Sequence, residues 1–389
     1  MSRFASGTLV LALIGSVLAH GATQNARTYR GRIIPLCPGL TIVTAINQLT
    51  GDYESIKRVE SATAETIRVR YSSYMPDPKG DYDSTTVAPP PWVPYNVYRN
   101  VRIADLDTAA AYQQQFAAGI PETIRNTTAL GVSTKIYRDL KDKRKTPMVM
   151  YLPLAAGSID DKGEPTFSLM EYRMFGEIAR DDVKPSTLSV LVNDRVTALP
   201  ILHAKGSIAD LDSEFFFLDD IENPLALKWE VGTDALHVIK ISYTCAASPP
   251  VAAGGDSGAA SGAGTRAEFL ERSLAENGRV DVYSIFFAFN SDTIREESEP
   301  TLQDVAGILK KHPDWKLSVE GHTDGIASDS FNLDLSKRRA AAVKNALAKK
   351  YSIDASRLAT TGFGKSRPRD TNETLEGRAR NRRVELVRQ

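Results

Sequence analysis

Apolar residues alternate with polar ones in several short stretches of the first two thirds of the chain. Thr66 to Tyr71 reads TIRVRY, with every second residue apolar. Leu188 to Val192 alternates in part, and Glu214–Leu218, Leu225–Val231 and His237–Tyr243 follow with turn residues between them. This period of two predicts strands. Asp107 to Ala118 (DTAAAYQQQFAA) is the exception and predicts a helix.

Further on, the pattern becomes mixed. Val282 to Phe289 (VYSIFFAF) predicts a buried strand. Ser298 then caps a helix that carries Pro300 in its first turn and runs toward Lys311, since Pro313 forbids continuation. Trp315, Leu317 and Val319 alternate into a strand ending at Gly321, and a polar loop runs to Phe331. The next helix begins between Asn332 and Ser336 and ends near Tyr351, with short strands at Leu358–Gly362 and Val384–Val387. Together these predict an α+β chain: a C-terminal small sheet covered by helices, preceded by a β-rich domain of unassigned fold.

Two segments fit neither pattern. Ala246 to Arg266 (AASPPVAAGGDSGAASGAGTR) has almost no large apolar residue, so the sequence predicts a flexible linker between domains at 32–245 and 267–389. At the start, Arg3 precedes an uncharged, largely apolar run to Leu18, and Val17-Leu18-Ala19 fits a small-residue cleavage site. Residues 1–19 therefore read as a secretory signal peptide; an uncleaved anchor is the alternative.

Composition adds an exclusion. With 48 basic and 48 acidic residues the formal charge is zero, so nothing points to nucleic acid. Only two cysteines occur, Cys37 and Cys245, near the ends of the β-rich domain. In an exported protein such a pair predicts a disulfide, and closing so long a loop contributes roughly 4–5 kcal/mol in the chain-entropy model. Two buried free thiols are the alternative.

Candidate chemistry in the β-rich domain is thin. His203 and His237 lack a neighbouring nucleophile motif or a ligand at metal spacing, and read as structural. Asp219-Asp220 near Glu222-Asn223 makes an acidic turn without the glycine-centred loop of a calcium site. Pro89 to Pro94 reads as a stiff surface loop. No cofactor, metal or catalytic residue is expected.

The C-terminal domain carries the informative charges. Leu335, Arg339, Val343 and Leu347 are spaced by four and share one helical face, which should turn toward the sheet. A guanidinium there needs a counter-ion or an anionic ligand. Asp324, in the loop entering the helix, is its expected partner, either in a structural salt bridge or in a shared binding site. Arg338 points about 100° away and should meet solvent.

Three ordered blocks carry a resemblance: Gly321-His322-Thr323-Asp324, then Asn332 to Ala340 (NLDLSKRRA), then Gly377 to Val384 (GRARNRRV). Over Val280 to Gln389 the chain resembles the OmpA-type peptidoglycan-binding domain. That resemblance implies a β/α sandwich that grips the diaminopimelate of the peptidoglycan stem peptide with an aspartate and an arginine, here Asp324 and Arg339. It also implies a supporting role for Asn332, whose other expected role is helix capping, and places Thr323 beside the aspartate. His322 is expected to be structural. Of Arg382 and Arg383, one is expected on an internal carboxylate and the other in solvent; contact of either with the glycan or peptide is the alternative.

The resulting expectation is a non-catalytic protein of the periplasm or outer membrane, bound to peptidoglycan, with its β-rich domain displayed on a tether. The alternatives are an outer-membrane barrel with a periplasmic wall anchor, or an envelope enzyme localised by the wall-binding domain. A stator-like motor component would need an acidic residue in a membrane helix, and Ser2 to Leu18 has none.

Overall fold

The computed structural model describes residues 30–48, 51–76, 92–113, 116, 121–159, 165–183, 185–245 and 265–389. The expected signal peptide, the linker up to residue 264 and Pro89 to Pro91 lie outside them. Among the described residues no helix is long and apolar enough to cross a membrane.

The alternating segments form one thirteen-stranded sheet. Its order is Trp92–Arg102, Thr66–Pro76, Gly51–Ala62, Thr41–Gln48, Asp234–Ser242, Ala226–Val231, Leu211–Leu218, Arg195–Ile208, Pro165–Arg180 and Lys145–Ile159, then the short Ala111–Gln113 and Thr127–Thr128. Thr187–Val192 pairs with both Arg195–Ile208 and Asp234–Ser242, closing a ring of strands within the sheet. Phe215, Phe217, Leu218, Leu227 and Trp229 are buried in its core.

Two local expectations fail here. Residues 107–118 are not one helix: a short helix, Ile103–Thr108, precedes strand Ala111–Gln113, which pairs parallel to Lys145–Ile159 and Thr127–Thr128. Tyr112, Gln113 and Phe116 are buried, so sheet pairing and burial override the helical leaning of the alanines. The second is Trp92 to Pro94, which opens an edge strand rather than a loop. An edge tolerates the missing N–H of Pro94.

Cys37 and Cys245 are joined in a disulfide, with Cα atoms 6.6 Å apart across 208 positions. The acidic turn is consumed by structure. Asp220 accepts from the amides of Arg32, Ile33 and Glu222, and Asp219 accepts from Tyr137 and Lys141.

The C-terminal sheet has four strands, ordered Arg279–Val282, Val384–Arg388, Leu317–His322, Leu358–Gly364. Helices Arg266–Asn277, Glu299–Lys311 and Asp329–Tyr351 supply its cover, and a short helix, Leu375–Asn381, precedes the last strand. Leu302, Val305, Leu309, Val343 and Leu347 pack on Leu317, Val319 and Leu386. The expected α+β class holds in both parts.

Residues 283–289 depart from the expected strand, because their backbone groups bond elsewhere. The amides of Tyr283 and Ser284 donate to Asp194, and that of Phe286 donates to Ser298 Oγ at 2.8 Å. Ser298 therefore does not cap its helix with its side chain, although Pro300 does sit in the first turn.

The large sheet and the C-terminal part are in direct contact. Val43, Ala45, Ile56 and Ile239 of the large sheet form one apolar cluster with Phe286 and Ala379 of the C-terminal part. Polar contacts surround it: Asp194 with Tyr283 and Ser284, His237 with Glu376 at 2.9 Å, and Arg70 with Glu296 and Glu297.

Candidate functional site

The site forms where helix Asp329–Tyr351 crosses the carboxyl ends of Leu317–His322 and Leu358–Gly364. Glycines allow this approach. A Cβ at Gly321 would fall 2.2 Å from Ser336 O, and one at Gly362 would fall 2.4 Å from Lys337 N. Ser336 Oγ accepts from Gly364 N at 2.8 Å, fastening the helix to the strand end.

The helix starts earlier than its sequence suggests. Ser328 caps it, accepting from Phe331 N, so Asn332 lies inside the first turn. Asn332 is buried, and its Nδ2 donates to the carbonyls of Asp324 and Ala327. It thus holds the loop that carries Asp324 rather than capping the helix. Thr323 is also buried, bonded through its amide to Gly364 O and through Oγ1 to Asp324 O. Both support the aspartate's backbone.

Asp324 and Arg339 line one cavity of about 470 Å³. Among the described residues no ion pair joins them. Asp324 Oδ2 is instead held at 2.7 Å by Arg382 Nη1, while Oδ1 accepts from Ile326 N. Arg382 continues to Glu54 of the large sheet, 2.9 Å from Nη2, and Lys240 approaches the same carboxylate at 3.1 Å. Burial pushes the Glu54 carboxyl up, but Lys240 and Arg382 together outweigh it and pull it down to about 2. Burial opposes the Arg382 charge, and Glu54 with Asp324 more than restores it.

Arg339 is the less satisfied cation. Its Nε donates to Ser291 O at 3.0 Å and its guanidinium lies 4.9 Å from the centre of the Phe287 ring. Among the described residues its two Nη groups make no hydrogen bond. Burial, then the Arg382 charge, pull its pKa down to about 10, which leaves it protonated at neutral pH. Arg338 faces outward and pairs with Asp334 and Asp292.

Of the two later arginines, Arg383 takes the internal carboxylates, with Asp281 at 2.8 Å. Arg382 is not in solvent but at the centre of the cavity's charges. Of the two relations expected between Asp324 and Arg339, the direct salt bridge is not formed, since Asp324 pairs with Arg382, but both side chains line the same cavity. His322 is structural, buried and stacked on Phe363. It converges with Glu320 and Glu385 within 4.8 Å, a grouping the sequence separates by 63 positions. Arg369 and Arg383 already neutralise Glu385, which disfavours a cation there.

A mixed sheet under helices, with a carboxylate and an underbonded guanidinium in one cavity, defines a domain suited to a zwitterionic ligand. Residues 286–382 match the OmpA family, so this part of the chain is an OmpA-family domain. Outer membrane porin F of Pseudomonas aeruginosa is 40% identical over 112 residues, covering 29% of this chain and 32% of that protein. Outer membrane protein A of Bordetella avium is 43% identical over 101 residues, 26% of this chain and 52% of that protein. The chain thus spans about a third to a half of these curated relatives. Among solved structures, the peptidoglycan-associated lipoprotein from Burkholderia pseudomallei is similar at 30% identity, over 27% of this chain and 88% of that one, with a TM-score of 0.26.

Proposed function

We propose that this protein binds peptidoglycan without catalysis, through the diaminopimelate of the stem peptide, and so holds its β-rich domain at the cell wall in the periplasm or at the outer membrane. The observation that carries the reading is Arg339: a half-buried, protonated guanidinium lining a cavity, with both Nη groups lacking a hydrogen-bond partner among the described residues. The side-chain end of diaminopimelate bears a carboxylate and an ammonium on one carbon. The carboxylate takes the Arg339 fork, and the ammonium takes Asp324. The relatives' names, outer membrane proteins and a peptidoglycan-associated lipoprotein, support the location and the polymer.

The test is pull-down of the exported full chain on isolated cell wall, with thermal unfolding measured beside it. Charge-assisted hydrogen bonds contribute ~1.5–3 kcal/mol each, so Arg339→Ala and Asp324→Ala should each lose roughly ten- to a hundredfold in affinity. Arg339→Lys should recover little, since an ammonium lacks the fork. Arg338→Ala should bind normally. Folded Arg339→Ala and Asp324→Ala proteins that bind as the parent does refute the site.

A further inference from the structure

The cavity has a second wall that the C-terminal domain does not supply. Glu54, Ile56, Tyr74 and Lys240, all from the large sheet, line it opposite Asp324 and Arg339. Glu54 lies beyond the sheet's apolar contact cluster and reaches Arg382 with one oxygen, accepting from both Nε at 3.1 Å and Nη2 at 2.9 Å. The remaining arm of that guanidinium, Nη1, holds Asp324 Oδ2.

We infer that the ligand site is built by both domains: Tyr74, with the buried Ile56 behind it, forms the wall against which the stem peptide lies, and Glu54 is a positioning residue that aims Asp324 through Arg382. This rests on the peptidoglycan reading and adds to it a part of the chain outside the OmpA-family match.

The geometry gives Glu54 a definite task. Arg382 spends three of its five N–H groups on two carboxylates, so Arg339, with one bond to Ser291 O, is the more open guanidinium. Glu54 fixes one side of Arg382, and Arg382 in turn fixes which Asp324 oxygen is engaged and which can accept from an ammonium. Lys240 keeps Glu54 in place, 3.1 Å from Oε1 and itself buried over the Phe286 ring. The cavity's roughly 470 Å³ lies within the ~300–1,000 Å³ range of small-ligand sites. It has room for the diaminopimelate end with the docked wall in place.

The experiment uses the full exported chain and a soluble stem tripeptide ending in diaminopimelate. Methyl resonances of Ile56, on the large sheet, and Leu335, on the helix, are followed during titration. Both should shift with the same saturation curve. A shift at Leu335 alone overturns the shared site while leaving the peptidoglycan reading standing. No shift at either methyl would count against that reading itself, and the shared site falls with it.

Positioning by Glu54 is tested by discrimination rather than affinity alone. The parent should prefer the free tripeptide over one acetylated on its diaminopimelate amine by roughly tenfold, the effect of one charge-assisted hydrogen bond. In Glu54→Gln that preference should fall to about threefold or less. A merely structural role for Glu54 weakens both peptides equally and keeps the ratio, which overturns the assignment. Tighter binding in Glu54→Gln also overturns it, because Glu54 would then be a competitor for the ligand's place. If Glu54→Gln does not fold, the Ile56 titration of the parent still decides the shared wall.

Discussion

Asp194 offers the sharpest handle on the docking. It sits with Asn193 in the two-residue turn between Thr187–Val192 and Arg195–Ile208, both residues having positive φ, 48° and 65°. Its buried carboxylate accepts from Tyr283 N at 2.6 Å, Ser284 N at 2.7 Å and Ser284 Oγ at 2.6 Å. Alanine at this φ would add backbone strain, so Asp194→Gly is the cleaner perturbation. It leaves two buried amides without an acceptor, at about 1–3 kcal/mol each, whereas Ser284 Oγ keeps Thr301. Burial holds the Asp194 carboxyl above its usual range despite Arg266 and Ser284, so removing the charge returns part of that cost. The net loss should be about 2–3 kcal/mol, read from urea unfolding of the full chain. Hydrogen exchange at Tyr283 and Ser284 should accelerate together. Asp194→Asn, which tolerates the turn and keeps one carbonyl for both amides, should lose less than half as much. A loss below about 0.5 kcal/mol, with both amides still slow, would show that this contact does not hold the domains.

Acid should loosen the same interface. The Glu54 pKa is depressed from its usual 4.5 to about 2, so its stabilisation is present above 4.5 and fades as pH falls toward 2. Exchange protection around Glu54 and Arg382 should drop over that window, and a flat profile would contradict the pairing. Gly321→Ala should destabilise by more than about 2 kcal/mol, because its Cβ meets the Ser336 carbonyl at 2.2 Å; an unchanged melting temperature would argue against the close crossing. Cutting at an engineered protease site between residues 250 and 260 should leave the two parts together on gel filtration, and their separation would show the docking to be weak. Reducing Cys37–Cys245 should lower the midpoint of urea unfolding by several kcal/mol equivalents of stability, roughly 3–5, and no change would mean the bridge does not constrain the unfolded chain.

Much of this was legible in the residues. Period-two alternation marked the strands at Thr66, Leu188, Leu225 and His237, although Val190–Val192 and Val238–Ser242 are buried on both faces. The helical face with Leu335, Val343 and Leu347 turned inward as its spacing required, and Asp324, Arg339, Asn332 and Thr323 came together as the OmpA-type blocks implied. What stayed hidden depends on long-range pairing. Ala111–Gln113 looks helical until a strand is placed beside it. Nothing local to Glu54 or Lys240 shows that the C-terminal part covers them. Arg382 and Arg383 are neighbours of one type, and only the three-dimensional position of Asp281 and Asp324 tells them apart.

The bridge between Cys37 and Cys245 also sets the path of mechanical load. The strand after Cys37, Thr41–Gln48, lies beside the strand before Cys245, Asp234–Ser242. A pull between residue 36 and the C-terminal domain enters at one sulfur and leaves at the other. Along the covalent path the 208-position loop between them is bypassed. Force reaches the loop only through its docking contacts, the Asp194 turn and the Glu54–Arg382 pair, whose large-sheet residues both lie between the two cysteines. The first element to yield under stretch is then the docking itself, and the cavity opens before any strand is lost.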